Sequence, residues 1–141
     1  MKDAINVKWV EDMSFETLVN DHPIILDATP EAGGRNRGPR PKPLLMVSLA
    51  GCTAMDVVSI LKKMKVDLTS FNIHVEADIS DEHPKRYTTV HLIYEFCGKD
   101  LSLDKLKHAI ELSQEKYCGV SATLKNAVEI SYEIKIVPLS S

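Results

Sequence analysis

Residues 43–64 read PLLMVSLAGCTAMDVVSILKKM, and this stretch decides the fold that the sequence predicts. It predicts a helix from Leu44 to Lys65, about six turns long and apolar almost all round until its lysine-rich end. Such a helix is usually central in its domain and covered on several sides. Cys52 lies near the middle of the helix, and Asp56 stands one turn later on the same face.

Alternating apolar and polar residues mark strands on both sides of this helix. The alternation is typical of strands that bury one face. Asn20–Pro23 has the composition of a turn and predicts a hairpin. The predicted strands are residues 5–9, 15–19, 24–28, 71–79, 89–96 and 128–136.

Helix signals occupy the last part of the chain. Ser102 is predicted to cap a second helix that ends near Cys118, and a short helical segment is predicted over Val120–Asn126. The predicted order, βββ–α–ββ–α–α–β, indicates an α+β fold with antiparallel sheets around the long helix, in one domain over residues 1–141. The inner stripe predicted for the second helix is Leu103, Leu106, Ile110 and Tyr117.

Composition and charge narrow the class of protein. The chain carries a formal net charge of −3, which does not favour a nucleic-acid partner, because such partners usually need a basic face. The apolar run Leu44–Met55 is shorter than the ~20 apolar residues of a membrane span. The three cysteines form no disulfide framework. We therefore expect a cytoplasmic protein that binds neither nucleic acid nor membrane.

The one long irregular segment predicted by the sequence is Pro30–Pro43, which is rich in glycine, proline and basic residues. Long loops inside compact domains are often functional. Arg35, Arg37 and Arg40 lie directly before the long helix and are candidates for binding an anion or activating a thiol on that helix. The alternative is a solvated loop.

The cysteines differ in their local surroundings. Cys52 has apolar neighbours and the carboxylate of Asp56, both of which raise the pKa of a thiol, so its context favours an inert core residue. Cys118 precedes a predicted helix, whose N-terminal dipole favours a thiolate, but it also suits a space-filling residue beside Gly119. Cys97 is predicted to be structural.

Other chemistries find little support in the sequence. The five histidines have no ligand spacing to one another or to a cysteine, so we predict no metal site. The chain contains no phosphate-binding loop, dinucleotide motif or serine-nucleophile motif, and no cofactor is predicted.

Two segments resemble the cysteine motifs of a known family. The stretch around Cys52, and EKYCGVSATLKNAVEISYEI at residues 115–134, are similar to the two motifs of the OsmC/Ohr family of osmotically inducible and organic hydroperoxide resistance proteins. The resemblance covers nearly the whole chain, and the nearest branch is that of the less characterised OsmC-like proteins. It implies the fold that the element order predicts.

The resemblance also implies an activity, that of a thiol-dependent peroxidase for organic hydroperoxides, with sites at the interface of a homodimer. Cys52 would attack the peroxide, releasing an alcohol or water and leaving a sulfenic acid. Cys118 would condense with this acid to form a disulfide. A dithiol reductant, of lipoyl type in some members, would reopen the disulfide.

The sequence departs from the family pattern around the first thiol. Peroxidase members pair an N-terminal Arg with a Glu just before the first-cysteine helix, and that Glu position falls here at Lys42–Pro43, without an acid. Arg35, Arg37 and Arg40 are candidates for the role of the family Arg only because they lie near the helix in the sequence. Asp56 adds an acid one turn from the thiol. The alternatives are a non-catalytic small-molecule-binding or redox-sensing dimer, and a structural dimer with incidental thiols.

Overall fold

The computed structural model describes residues 1–139 and confirms the α+β class and the predicted order of elements. The chain forms two compact units, Met1–Val47 and a second that begins at Ser48. One domain over residues 1–141 stays a prediction. The first unit has a sheet of three antiparallel strands, β1 (Val7–Glu11), β2 (Ser14–Val19) and β3 (His22–Leu26).

The hairpin predicted at Asn20–Pro23 is present between β2 and β3. Its turn consists of Asn20 and Asp21, whose φ angles of 50° and 66° are those of a two-residue hairpin turn. Val19 pairs with His22 across this turn, so the predicted turn residues His22 and Pro23 belong to β3.

The basic segment, residues 30–43, is packed closely onto the end of β3. It begins with a 3₁₀ turn at Pro30–Ala32, where the sequence predicted no helical structure. The backbone N–H of Asp27 donates to the carbonyl oxygen of Pro39 at 3.2 Å. A Cβ atom on Gly38 would lie 2.1 Å from the carbonyl oxygen of Ile25, so only glycine fits there.

Asp27 organises the basic segment. Its buried carboxylate accepts hydrogen bonds from the backbone N–H groups of Ala28, Arg35 and Arg37, at 2.7, 3.3 and 3.1 Å. Burial raises the pKa of Asp27, but these N–H donors and the charge of Arg37 outweigh burial and hold that pKa below its usual value. The charged carboxylate therefore stabilises this conformation.

The long helix, α1, runs from Leu44 to Lys63 and ends earlier than predicted, because Lys65 has a positive φ. Other apolar positions of the helix are exposed, Val47 at 64% and Met55 at 77%. The expectation that this helix is covered on several sides is therefore wrong for a single chain. Its buried residues form one stripe, spaced four apart: Leu49, Thr53, Val57 and Leu61.

Among the described residues, α1 is the one helix that is long and apolar enough to cross a membrane, judged by length and composition. Its 20 residues contain a window of mean hydropathy 2.0 and extend well beyond Leu44–Met55, the run on which the sequence-based expectation rested. The central helix of a soluble protein meets the same criterion.

The second unit contains a sheet in the order β4–β5–β6, formed by Ser70–Ile79, Tyr87–Cys97 and Glu129–Ile136. β4 and β5 are antiparallel, but β5 and β6 are parallel. The antiparallel expectation is wrong for this last pair, because the chain crosses over through helices before β6 and enters the sheet in the same direction as β5. The predicted inner face of β5 is confirmed as buried: Val90, Leu92, Tyr94 and Phe96.

The crossover consists of α2 (Leu103–Leu112), a π-helical turn (Ser113–Tyr117) and α3 (Gly119–Leu124). The prediction that Ser102 caps α2 is confirmed, because its side chain accepts the backbone N–H of Lys105.

The inner stripe of α2 differs from the prediction. Leu106 and Ile110 are buried as expected, and Ala109 is buried with them. Leu103 and Tyr117 are exposed. The π-helical turn accounts for Tyr117, because its extra residue per turn rotates the chain away from the α-helical register.

Candidate functional site

Three side chains singled out in the sequence come together in the second unit. Cys52 and Asp56 lie one turn apart on the same face of α1, and Cys118 lies between the π-helical turn and α3. The two sulfur atoms and a carboxylate oxygen of Asp56 all lie within 4.8 Å of one another. Both thiols are free, and we call these three residues the thiol cluster.

The chain path fixes Cys118 in place. Its backbone N–H donates to the carbonyl oxygen of Ser113 at 2.7 Å and closes the π-helical turn. Its sulfur caps α3 by accepting the backbone N–H of Ser121 at 3.3 Å. Cys118 is only 3% exposed, whereas Cys52 is partly exposed, so Cys52 is the thiol that a solute reaches first.

The electrostatic surroundings of Cys52 favour its protonated form. Burial raises the pKa of the Cys52 thiol above its usual value. The neighbouring Cys118 thiol and the negative charge of Asp56 also raise that pKa, while a backbone hydrogen bond from Val120 lowers it in part. The direction expected from the sequence is confirmed.

A buried polar network holds the carboxylate of the thiol cluster. The hydroxyl of Ser113 donates to Asp56 Oδ2 at 2.9 Å. Ser113 Oγ also lies 2.8 Å from Thr53 Oγ1, which in turn lies 2.8 Å from the hydroxyl oxygen of Tyr94. Burial raises the pKa of Tyr94 to about 12, so its hydroxyl stays protonated and can donate to Thr53.

Gln114 extends the polar network to the other end of the thiol cluster. Its amide nitrogen donates to Thr53 Oγ1 and to the Tyr94 hydroxyl, both at 3.1 Å. Its carbonyl oxygen accepts the hydroxyl of Ser121 at 3.0 Å. Because the backbone N–H of Ser121 binds the sulfur of Cys118, one connected set of groups supports both the carboxylate and the second thiol.

Sequence reasoning missed this network entirely. The available signal was Thr53, a hydroxyl group on the stripe of α1 that otherwise carries leucine and valine. A buried hydroxyl needs a partner, so its position calls for polar groups on the elements packed against it. Nothing in the sequence indicated that Ser113 and Gln114 would be those groups.

An open cleft of about 510 Å³ adjoins the thiol cluster through Asp56, which lines it. Half of the lining residues are polar, because Ser59, Lys63 and His108 join Asp56, and four further lining residues have mainly apolar side chains. The cleft therefore offers both apolar surface and polar groups to a ligand. The four are Ile60, Met64, Leu112 and Tyr117.

The basic residues predicted to act on a thiol make their recorded contacts within the first unit. Arg35 pairs with Asp12 at 3.2 Å, and Arg37 pairs with Glu11 at 3.0 Å. Arg40 donates to side-chain and backbone oxygens of its own segment. An activating or anion-binding role for these arginines stays a prediction.

The third cysteine, Cys97, occupies the end of β5 and is buried. Its sulfur lies 3.7 Å from the carbonyl oxygen of Pro138. This environment agrees with the structural role that the sequence predicts.

Comparison with known proteins connects this geometry to a family. A family model described as OsmC-like protein matches residues 33–133. Protein YhfA of Escherichia coli strain K12 is 32% identical over 132 residues, which cover 93% of this chain and 96% of YhfA. The crystal structure of a hypothetical protein from Aquifex aeolicus VF5 has a TM-score of 0.81 at 28% identity and covers 97% of this chain and 98% of that one.

A more distant likeness extends to a protein named for hydroperoxide resistance. The organic hydroperoxide resistance protein OhrB of Bacillus subtilis has a TM-score of 0.66 at 16% identity, covering 96% of this chain and 98% of OhrB. At this identity the likeness concerns the fold alone.

Proposed function

Because the chain belongs to the OsmC-like family, we propose that it is a thiol-dependent peroxidase that reduces organic hydroperoxides. The observation that carries the proposal is the thiol cluster, in which the sulfur atoms of Cys52 and Cys118 lie within 4.8 Å of each other. A thiol with a second thiol at this distance suits a cycle of sulfenic acid and disulfide. Solved structures of similar fold include proteins named for organic hydroperoxide resistance.

In the proposed cycle Cys52 is the nucleophile, because it is the more exposed of the two thiols. Its sulfur attacks one peroxide oxygen, the O–O bond breaks and the alcohol leaves, so that the sulfur is oxidised to a sulfenic acid. Cys118 then attacks this sulfur, the elements of water leave and a disulfide forms. A dithiol reductant takes up the disulfide by exchange and restores both thiols.

The nucleophile must lose its proton before it attacks, since the thiolate is the reactive form. Burial, the second thiol and Asp56 raise the pKa of Cys52, so its thiolate is scarce at neutral pH. The partly exposed Cys52 loses this proton to solvent, and the negative charge of Asp56 opposes the loss because it disfavours a second negative charge beside it.

The cleft beside Asp56 supports an organic rather than an inorganic peroxide as substrate. The apolar part of its lining offers a favourable surface to the carbon chain of an alkyl or aryl hydroperoxide. Hydrogen peroxide has no apolar group and gains nothing from such a surface. We therefore expect a preference for organic hydroperoxides.

We propose that the active form is a cytoplasmic homodimer. The supporting observation is that apolar side chains on more than one side of α1 are exposed, among them Leu45, Val47 and Met55. A long apolar helix is usually covered on several sides by other surfaces. A second copy of the chain would bury the exposed apolar side chains of this helix, as its apolar composition predicts.

The second candidate function is redox sensing on the same scaffold, and the raised pKa of Cys52 favours it. A thiol that is mostly protonated at neutral pH reacts slowly with peroxide. Slow formation of a stable disulfide suits a sensor better than an enzyme with fast turnover.

The test is to treat the reduced protein, in the presence of a metal chelator, with stoichiometric cumene hydroperoxide and separately with hydrogen peroxide. Thiol loss is followed over time, and the disulfide is mapped by mass spectrometry. We expect a Cys52–Cys118 disulfide that forms faster with cumene hydroperoxide. Turnover with a dithiol reductant separates the enzyme from the sensor.

Three variants complete the test. Cys52→Ser should abolish the reaction, and Cys118→Ser should leave a sulfenic acid that a dimedone probe captures. Cys97→Ala is the matched control and should react like the original protein. Thiol loss no faster than that of free cysteine, or a disulfide that involves Cys97, would contradict the peroxidase proposal.

A further inference from the structure

The thiol cluster offers two sulfur ligands and one carboxylate, a donor set that suits a thiophilic metal ion. We propose that Cys52, Cys118 and Asp56 bind one Zn²⁺ ion in the reduced protein. The proposal does not depend on the peroxidase activity, because it concerns only the affinity of the reduced chain for the metal.

The three ligand atoms are close enough to reach one ion. In a tetrahedral site with Zn–S bonds of about 2.3 Å, neighbouring sulfur ligands are about 3.8 Å apart. The ligand atoms of the thiol cluster all lie within 4.8 Å of one another. Closing the cluster around the ion therefore requires shifts of about 1 Å, which small rotations of the side chains provide.

Two of the ligands lie on α1, and the third lies between two helical elements. Cys52 and Asp56 stand at positions i and i+4 of α1, a spacing that directs two side chains to the same ion. Cys118 is fixed by the hydrogen bond from its own N–H that closes the π-helical turn. Sites built on such elements are more precise than sites on loops, so little ordering is needed on binding.

Hydrogen bonds around the cluster match those that support metal ligands elsewhere. The hydroxyl of Ser113 binds Asp56 Oδ2 and leaves the other carboxylate oxygen for an ion. The backbone N–H of Ser121 points at the sulfur of Cys118, and that of Val120 binds the sulfur of Cys52. Both donors stabilise negative charge on sulfur, which is the form that a metal binds.

The proposed site has a chemical consequence for the thiols. On binding, Cys52 and Cys118 lose their protons to solvent and their sulfurs bond to Zn²⁺. Oxidation of the same sulfurs to a disulfide removes both ligands and releases the ion. Three protein ligands leave a fourth position for water or a solute, as in catalytic zinc sites. The metal and the peroxide therefore compete for one pair of sulfurs.

The test uses Co²⁺ as a spectroscopic substitute for Zn²⁺ in the reduced, full-length protein freed of metal by a chelator. We expect one Co²⁺ per chain, with sulfur-to-cobalt charge-transfer absorption and the intense visible bands of tetrahedral cobalt, and displacement of both signals by Zn²⁺. Competition with a chromophoric chelator then measures the zinc affinity. Neither readout requires a peroxide, so the metal site and the peroxidase can fail separately.

Variants decide which residues bind the ion. Cys52→Ser and Cys118→Ser should lose the charge-transfer absorption, and Cys97→Ala should keep it. Asp56→Asn should weaken zinc binding at least about tenfold, and Ser113→Ala, which removes only the supporting hydroxyl, about tenfold. Circular dichroism of each variant in chelator verifies that it is folded.

Any of three results would overturn the proposal. The first is the absence of sulfur-to-cobalt absorption at saturating Co²⁺ in the fully reduced protein. The second is a zinc affinity that folded Asp56→Asn shares with the original protein, since a site without the carboxylate is not the one proposed. The third is retention of the cobalt spectrum in Cys52→Ser.

Discussion

Two acidic groups, Asp27 beside the basic segment and Cys52 in the thiol cluster, have pKa values shifted in opposite directions. Beside the basic segment, N–H donors and the charge of Arg37 surround the buried carboxylate of Asp27 and outweigh burial, so its pKa falls below the usual value. In the thiol cluster burial raises the pKa of Cys52, and a second thiol and a carboxylate raise it further. Arg35 and Arg37 pair with acids of their own unit.

Two of the arginines predicted to act on a thiol have acidic partners in their own unit, and their action on the thiol stays a prediction. Arg35 and Arg37 have acidic partners in β1 and the turn that follows it, and these partners come from a part of the sequence that carries no motif. Pairing with an acid weakens the field of an arginine at other groups, because the two opposite charges partly cancel.

The largest effect is expected from Asp27→Ala, beside the basic segment. The change leaves three backbone N–H groups without their acceptor, so the free energy of unfolding should fall by more than in any other variant proposed below. Urea denaturation measures the change, and Asp3→Ala, an exposed acid, is the control. A loss equal to that of the control would show that the segment does not depend on this carboxylate.

Asp27 also predicts how stability depends on acid. Its pKa in the folded protein lies below the value of about 3.9 for an unfolded chain. The stabilisation is therefore fully present above the unfolded pKa and is lost as the pH falls through the folded pKa. Unfolding measured between neutral and acidic pH should show a smaller acid-dependent loss in Asp27→Ala than in the original protein.

The second largest effect is expected from Thr53→Val, which keeps the shape of the side chain and removes the hydroxyl at the centre of the polar network. Ser113, Tyr94 and Gln114 each lose a partner, and we expect the free energy of unfolding to fall by about 2 kcal/mol. Thr123→Val is the matched control, because its exposed hydroxyl bonds only to a backbone carbonyl in the same helix. Equal losses of unfolding free energy in both variants would show that the polar network does not contribute to stability.

A smaller effect is expected from Asp56→Asn, which takes a negative charge away from Cys52. Since that charge raises the pKa of Cys52, the pKa should fall and the rate of alkylation at neutral pH should rise about threefold. The assay is iodoacetamide labelling against pH in chelator, with mass-spectrometric readout at Cys52. Asp104→Asn, at the start of α2, is the control. A slower reaction would mean that the carboxylate acts mainly as the base for the thiol.

Much of this fold can be predicted from local patterns, because each pattern reports on a single element. The alternation of residues in β5 correctly predicted its buried face, and Ser102 correctly predicted the start of α2. The parallel pairing of β5 and β6 and the exposure of Tyr117 were not predictable in this way. Both depend on how the crossover is built, and the π-helical turn within it has no sequence signal of its own.

The same distinction between local patterns and the assembly of elements applies to the candidate site. Cys52 and Asp56 could be placed together because they share a helix face. The sequence also excluded a metal on the spacing of its histidines, yet the cluster that the fold assembles consists of cysteines and a carboxylate separated by more than sixty residues. Ligands drawn from two elements have no characteristic spacing, so only the structure brings them together.

The smallest effect is expected from Arg35→Gln and Arg37→Gln, which test the contrast between the two regions directly. Their surface ion pairs with Asp12 and Glu11 contribute about 0.5 kcal/mol or less each, so stability should change little. If their charges are used by those acids, the alkylation rate of Cys52 should change by less than about twofold. If one of these arginines activates the thiol, its replacement should instead raise the pKa of Cys52, and labelling at neutral pH should slow severalfold. That result would restore the family role of an arginine to the basic segment.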